Sequence, residues 1–109
     1  MRIAVIGRTE MLFDSALVLD SEGFDLGCII TARSEKEYKR NESEFKSLAS
    51  RLDIPYFFGE KTDSILPLVQ ELRCDLGVSV NYPTVLAQNF IDVFPHGILN
   101  AHAGDLPRY

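Results

Sequence analysis

Cations, cysteine, glycine and proline are all scarce in this sequence, and each shortage closes off a class of protein. The 11 Lys and Arg residues are outnumbered by 16 Asp and Glu, which leaves a formal net charge of −5. Nucleic-acid binding is driven largely by Lys and Arg neutralising phosphates, so a general attraction to nucleic acid or to anionic lipid is not expected, a local basic patch aside. Cysteine occurs twice. Cys28 lies in the apolar run Leu26-Gly27-Cys28-Ile29-Ile30 and Cys74 at a predicted helix-to-strand boundary, with neither a CxxC partner nor metal-like spacing. They read as two unpaired buried thiols of a cytosolic protein in preference to a disulfide or a metal site. With only 7 Gly and 5 Pro among 109 residues, 46% hydrophobic and 25% charged, the composition is globular and neither disordered nor fibrous. Long apolar runs are missing too. Met1-Arg2-Ile3-Ala4-Val5-Ile6-Gly7 is too short for a signal peptide or a membrane span, so a soluble, cytoplasmic protein without a membrane partner is expected.

What is present is a repeating pattern of short apolar runs and helical periodicity, without internal repeat, low-complexity tract or linker. Strands are predicted at Arg2 to Ile6, Phe24 to Thr31, Pro55 to Phe58, Cys74 to Val80 and Gly97 to Asn100. Between them, Leu12, Phe13, Ala16, Leu17 and Leu19 form one helical stripe, capped by Thr9 and ended by Gly23. Phe45, Leu48, Ala49 and Leu52 form a second from about Ser43, after a charged loop at Ser34 to Asn41. Ile65, Leu68, Val69 and Leu72 form a third, with Ser64 as its cap and Pro67 in the first turn, where a missing N–H costs little. Thr84 to Phe94 is a short helical segment closed by Pro95. Alternating strands and helices predict an α/β fold: a Rossmann-like open parallel sheet of about five strands with helices on both faces.

The last predicted strand runs into Asn100-Ala101-His102. Residues two apart on an extended chain face the same side, and ligands of open parallel sheets bind outside the strands' carboxyl ends. An amide N–H₂ aimed at a developing oxyanion and an imidazole that relays a proton are the two jobs acyl transfer needs. Spacing alone favours a plainer reading, in which Asn100 satisfies backbone groups at a strand end and His102 sits half exposed in a turn.

The wider context shifts that balance. Asp75-Leu76-Gly77-Val78-Ser79-Val80, then Phe94-Pro95-His96-Gly97-Ile98-Leu99-Asn100-Ala101-His102, then Leu106-Pro107-Arg108-Tyr109 resembles the formyltransferase family, whose motif runs approximately G-x-[IL]-N-x-H-x-S-x-L-P-x-[YF]-x-G. The resemblance covers nearly the whole chain and implies the N-terminal part of a formyltransferase-like domain over residues 1–109, truncated relative to the family domain. It implies transfer of a formyl group from 10-formyltetrahydrofolate to an amine, with Asn100 as the catalytic asparagine and His102 as the catalytic histidine. The family's third catalytic group, an aspartate further on that orients the histidine, falls beyond Tyr109, so this chain alone is expected to be inactive. Gly104 stands where the family has Ser, and Asp105 where it has an apolar residue; Asp105 is not expected to replace the missing aspartate. The family's folate-binding segment corresponds to Val80-Asn81-Tyr82-Pro83-Thr84-Val85-Leu86, which makes Asn81, Tyr82 and Leu86 the candidate pterin contacts, though plain core packing fits them as well.

The loop Gly7-Arg8-Thr9-Glu10-Met11-Leu12-Phe13 lacks the glycines that hold a ribonucleotide phosphate and carries Glu10, so a phosphoribosylglycinamide acceptor is disfavoured. It also lacks G-x-G-x-x-G, against a dinucleotide site. The sequence is closer to the branches of the family that formylate methionyl-tRNA or amino-sugar nucleotides. In Thr31 to Arg40, where the tRNA-directed branch contacts the acceptor stem, cations alternate with Glu35 and Glu37, so tRNA is not favoured over a small amine. Two other readings stay open: a non-catalytic Rossmann-like binding module, and a formyltetrahydrofolate hydrolase that hands the formyl group to water. Oligomeric state is not legible.

Overall fold

A computed structural model describes residues 1–31, 42–58, 64–80 and 88–101. Five strands and four helices alternate along it: β1 (Arg2–Gly7), α1 (Glu10–Ser21), β2 (Asp25–Thr31), α2 (Glu42–Leu52), β3 (Tyr56–Phe58), α3 (Leu66–Leu72), β4 (Leu76–Val80), α4 (Gln88–Ile91) and β5 (Ile98–Ala101). The strands form one sheet in the order β3-β2-β1-β4-β5, and every neighbouring pair is parallel. The open Rossmann-like sheet expected from the alternation is therefore the fold. The chain steps outward from β1 through β2 to β3, then returns past β1 to β4 and β5. The adjacent β1 and β4 accordingly mark the switch point where a crevice opens beyond the strands' carboxyl ends.

Alternation along β1 explains the two cores. Ile3 and Val5 face one side with Leu12, Phe13 and Ala16 of α1 and Phe45, Leu48 and Ala49 of α2. Ala4 and Ile6 face the other with Ile65, Val69, Phe90 and Phe94. Helices thus cover both faces, and strands buried on both sides read as continuous apolar runs, as β1 and β2 do. Edge-to-face pairs lock each layer: Phe13 with Phe45, and Phe90 with Phe94, both with ring centroids 5.5 Å apart.

Several local expectations are corrected. Thr9 occupies the N-cap position of α1, and its carbonyl accepts the first helical bond from Phe13 N at 3.2 Å, but its side chain makes no cap hydrogen bond. Its φ of 100° lies far from the extended conformation of an ordinary N-cap, so the hydroxyl is carried away from the helix amides. The N-cap position of α3 is Ile65 and not Ser64, because the helix starts one residue later, with Pro67 still in its first turn. Leu68 is 48% exposed. The seven-residue helix meets the sheet through Ile65 and Val69, one turn apart, with Leu66 and Leu72 beside them, which turns Leu68 outward. Phe24 stays outside β2 and is 45% exposed. The charged loop at 34–41 and residues 84–87 of the fourth helical segment lie outside the described residues.

Candidate active site at the strand ends

All five strands bring their carboxyl ends to one rim. At its centre Gly7 closes β1 with φ 134°, and a Cβ there would fall onto the Val80 carbonyl oxygen, so only glycine lets β1 and β4 meet so closely. The next amide, Arg8 N, donates to that same carbonyl at 3.1 Å. Beside it, Thr31 ends β2 fully buried, and its hydroxyl shares a 2.7 Å hydrogen bond with the Tyr56 hydroxyl. That phenol donates in turn to the Glu42 carbonyl at 3.2 Å, tying β2, β3 and the start of α2 into one unit. Burial pushes the Tyr56 phenol above its ordinary pKa of 10.0, opposed by the Thr31 hydrogen bond and reinforced by nearby Glu42.

Asn100 stands on the other flank of the rim. It is half-buried on β5, one residue before the strand ends, and in register with Ser79 of β4. Ile98 packs into the layer beneath α3 and α4, while Leu99 faces the α1 side, so the two-residue repeat assigns Asn100 to the Ile98 side. Ser79, buried to 1% exposure, is the register neighbour that sequence reading missed; a lone serine within an apolar strand gives no signal there. His102, Asn81, Tyr82 and Leu86 lie outside the described residues, as do Gly104 and Asp105. Of the five candidate residues, Asn100 alone has a described position.

A second feature of the rim was not foreseen. Thr9 Oγ1 is buried without a hydrogen-bond partner among the described residues, at a residue with positive φ directly after the switch point. On the α1 face an open groove of about 780 Å³ runs between α1 and the sheet, lined by Glu10, Met11, Asp14, Val18, Val78 and Leu99. It does not include Asn100 and lies on the opposite face of β5. No group of His, Cys, Asp or Glu among the described residues is arranged to hold a metal ion. Among the same residues no helix is long and apolar enough to cross a membrane.

With this geometry in hand, comparison with known proteins first defines a class. No protein-family model matches the chain. In structure, 91% of it superposes on 56% of glycinamide ribonucleotide transformylase 1 from Geobacillus kaustophilus, with TM-score 0.64 and 14% identity. Likewise 92% superposes on 50% of the enzyme of the same name from Symbiobacterium toebii, with TM-score 0.66 and 17% identity. At such identities the likeness speaks for fold alone, and the fold is that of the formyltransferase structures. Sequence then narrows the kinship. The whole chain aligns with the methionyl-tRNA formyltransferase of Prochlorococcus marinus strain MIT 9515 at 31% identity, covering 35% of that protein. It aligns equally completely with that of Acetivibrio thermocellus at 28% identity, covering 37%. The chain is a homologue of the methionyl-tRNA formyltransferases over its whole length, and it spans about a third of theirs.

Proposed function

We propose that residues 1–109 are the N-terminal part of a formyltransferase domain that moves a formyl group from 10-formyltetrahydrofolate to an amine, with Asn100 and His102 as its catalytic pair. The observation that carries this reading is the position of Asn100 at the carboxyl end of β5, in a chain homologous to methionyl-tRNA formyltransferases. A half-buried carboxamide at a strand end supplies the N–H donor that the formyl oxygen needs as negative charge builds on it, worth roughly 3 to 4 kcal/mol when the donor is held in place. His102, two residues on, supplies the proton relay, and Asn81, Tyr82 and Leu86 supply the pterin contacts. The half-buried Asn100 beside a buried Ser79 fits a donor whose polar formyl end reaches the sheet edge.

The homologues favour methionyl-tRNA as acceptor, and the net charge of −5 favours a small amine such as an amino-sugar nucleotide. The acceptor follows from assaying the protein encoded by the complete reading frame with 10-formyltetrahydrofolate and each amine in turn. Formyl transfer to one of them is the expected result, whereas formate release without any acceptor would make the protein a hydrolase. A chain that spans about a third of its relatives is expected to show no turnover by itself, and sustained turnover from these 109 residues would overturn the reading of them as one part of the domain.

A further inference from the structure

The two cysteines, separate in sequence and unremarked by any spacing motif, meet in space. Cys28 on β2 and Cys74 just before β4 are both free, both at most 1% exposed, and both in the core layer under α3. The meeting depends on an irregularity of β2. Its pairing with β1 passes from Ile3↔Leu26 to Ala4↔Cys28 and skips Gly27, a bulge that redirects the strand. Gly27 leaves open the space where a Cβ would stand, and Cys74 Sγ occupies it, 2.5 Å from that position, beside the Arg2 stem at 2.8 Å. Cys28, the next residue along the bulge, faces the same buried layer, and each thiol is the largest electrostatic influence on the other.

We propose that Cys28 and Cys74 form a peroxide-sensitive dithiol site, in which Cys74 is the sulfur that is oxidised and Cys28 the one that resolves it into a disulfide. The environment distinguishes their roles. The Cys28 thiol and the nearby Arg2 guanidinium hold the Cys74 thiol below its ordinary value against burial, Asp25 and Asp75. Cys74 and burial push the Cys28 thiol up, so it stays protonated. Arg2 is fixed over the pair: its amide donates to Asp75 at 2.8 Å, its Nε to Asp25 at 3.1 Å and its Nη1 to the Leu72 carbonyl at 2.7 Å.

The chemistry balances with a peroxide as oxidant. Cys74 thiolate attacks one oxygen of hydrogen peroxide, the O–O bond breaks, and hydroxide leaves and takes up a proton, giving a sulfenic acid. Cys28 then loses its proton and attacks the Cys74 sulfur; the S–O bond breaks and water departs. In sum two thiols and one peroxide become one disulfide and two waters. Both thiols are buried, so a small peroxide is expected to reach them ahead of bulky thiol reagents. The resulting bridge would close the loop carrying β3, α2 and α3 at the sheet end opposite the candidate active site.

Intact-mass measurement of the folded chain after exposure to hydrogen peroxide tests this directly. The expected product has lost two hydrogen atoms, resists alkylation at both cysteines together, and returns to the starting mass with dithiothreitol. Cys28→Ser should instead halt at a dimedone-reactive sulfenic acid on Cys74, and Gly27→Ala, which crowds Cys74 Sγ, should slow closure. A wild-type chain that gains oxygen at the two sites independently, or that keeps both thiols alkylatable on unfolding, would overturn the proposal without recourse to any variant.

Discussion

Tyr56 shows how one side chain sets both the geometry and the pH range of the strand-end rim. Its hydroxyl shares the 2.7 Å bond with Thr31, which is otherwise sealed in the core. Tyr56→Phe should therefore lower stability by about 1 kcal/mol in denaturant unfolding at neutral pH. The phenol is raised in the folded state, so the unfolded chain ionises first: the stabilisation is complete below pH 10.0 and is lost as pH rises through the higher folded value. Unfolding curves across that alkaline range should converge for wild type and Tyr56→Phe, and parallel curves would show that the phenol is not held neutral by the fold. At Gly7 the demand is steric, because φ 134° and the Val80 carbonyl both exclude a Cβ. Gly7→Ala should cost more than about 2 kcal/mol, seen as a large drop in Tm. Residue-level chemistry was the least legible from sequence. Nothing in Arg8-Thr9-Glu10 announces that Thr9 takes a positive φ and leaves its hydroxyl unbonded among the described residues, since the preference of threonine for N-caps argues for the reverse. The Cys28 and Cys74 contact was equally silent, because it depends on a bulge at Gly27 that no local pattern encodes.

Elements were far more legible, because burial on a sheet imposes a period that can be read. β1 and β2 stand out as unbroken apolar runs since each is covered on both faces, and α1 and α2 show stripes broad enough to fix which side meets the sheet. Legibility failed where elements are short. α3 has seven residues, too few turns for Leu68 and Leu66 to be told apart by periodicity, and contact with the sheet decided for Leu66. The four-residue α4 owes its place to a single anchor, Phe90, which is fully buried and stacks edge-on against Phe94. Phe90→Ala should destabilise the fold by about 3 to 5 kcal/mol, whereas Leu68→Ala, at an exposed site, should change it by less than about 0.5 kcal/mol. Similar losses at the two positions in urea unfolding would mean that α3 and α4 do not cover the sheet as described.

At the scale of the whole molecule, strand order decides which residues share the carboxyl edge of the sheet. The order β3-β2-β1-β4-β5 aligns Asn100 beside Ser79 at the carboxyl edge, where parallel sheets carry their chemistry. The placement of Asn100 at the carboxyl end of a strand was legible from the alternation of strands and helices, whereas the strand order that sets Ser79 beside it is written in no local pattern. The division of labour within the site was not foreseeable from fold, since a fold hosts many reactions and only the groups at the rim select one. The central claim is that Asn100 acts on the transition state of formyl transfer. Its most direct test is the turnover and folate affinity of Asn100→Ala, compared with wild type in the protein encoded by the complete reading frame. The expected result is a loss of kcat on the order of 10²- to 10³-fold with folate Kd nearly unchanged; equal losses in both would show that Asn100 only binds substrate and would contradict the account.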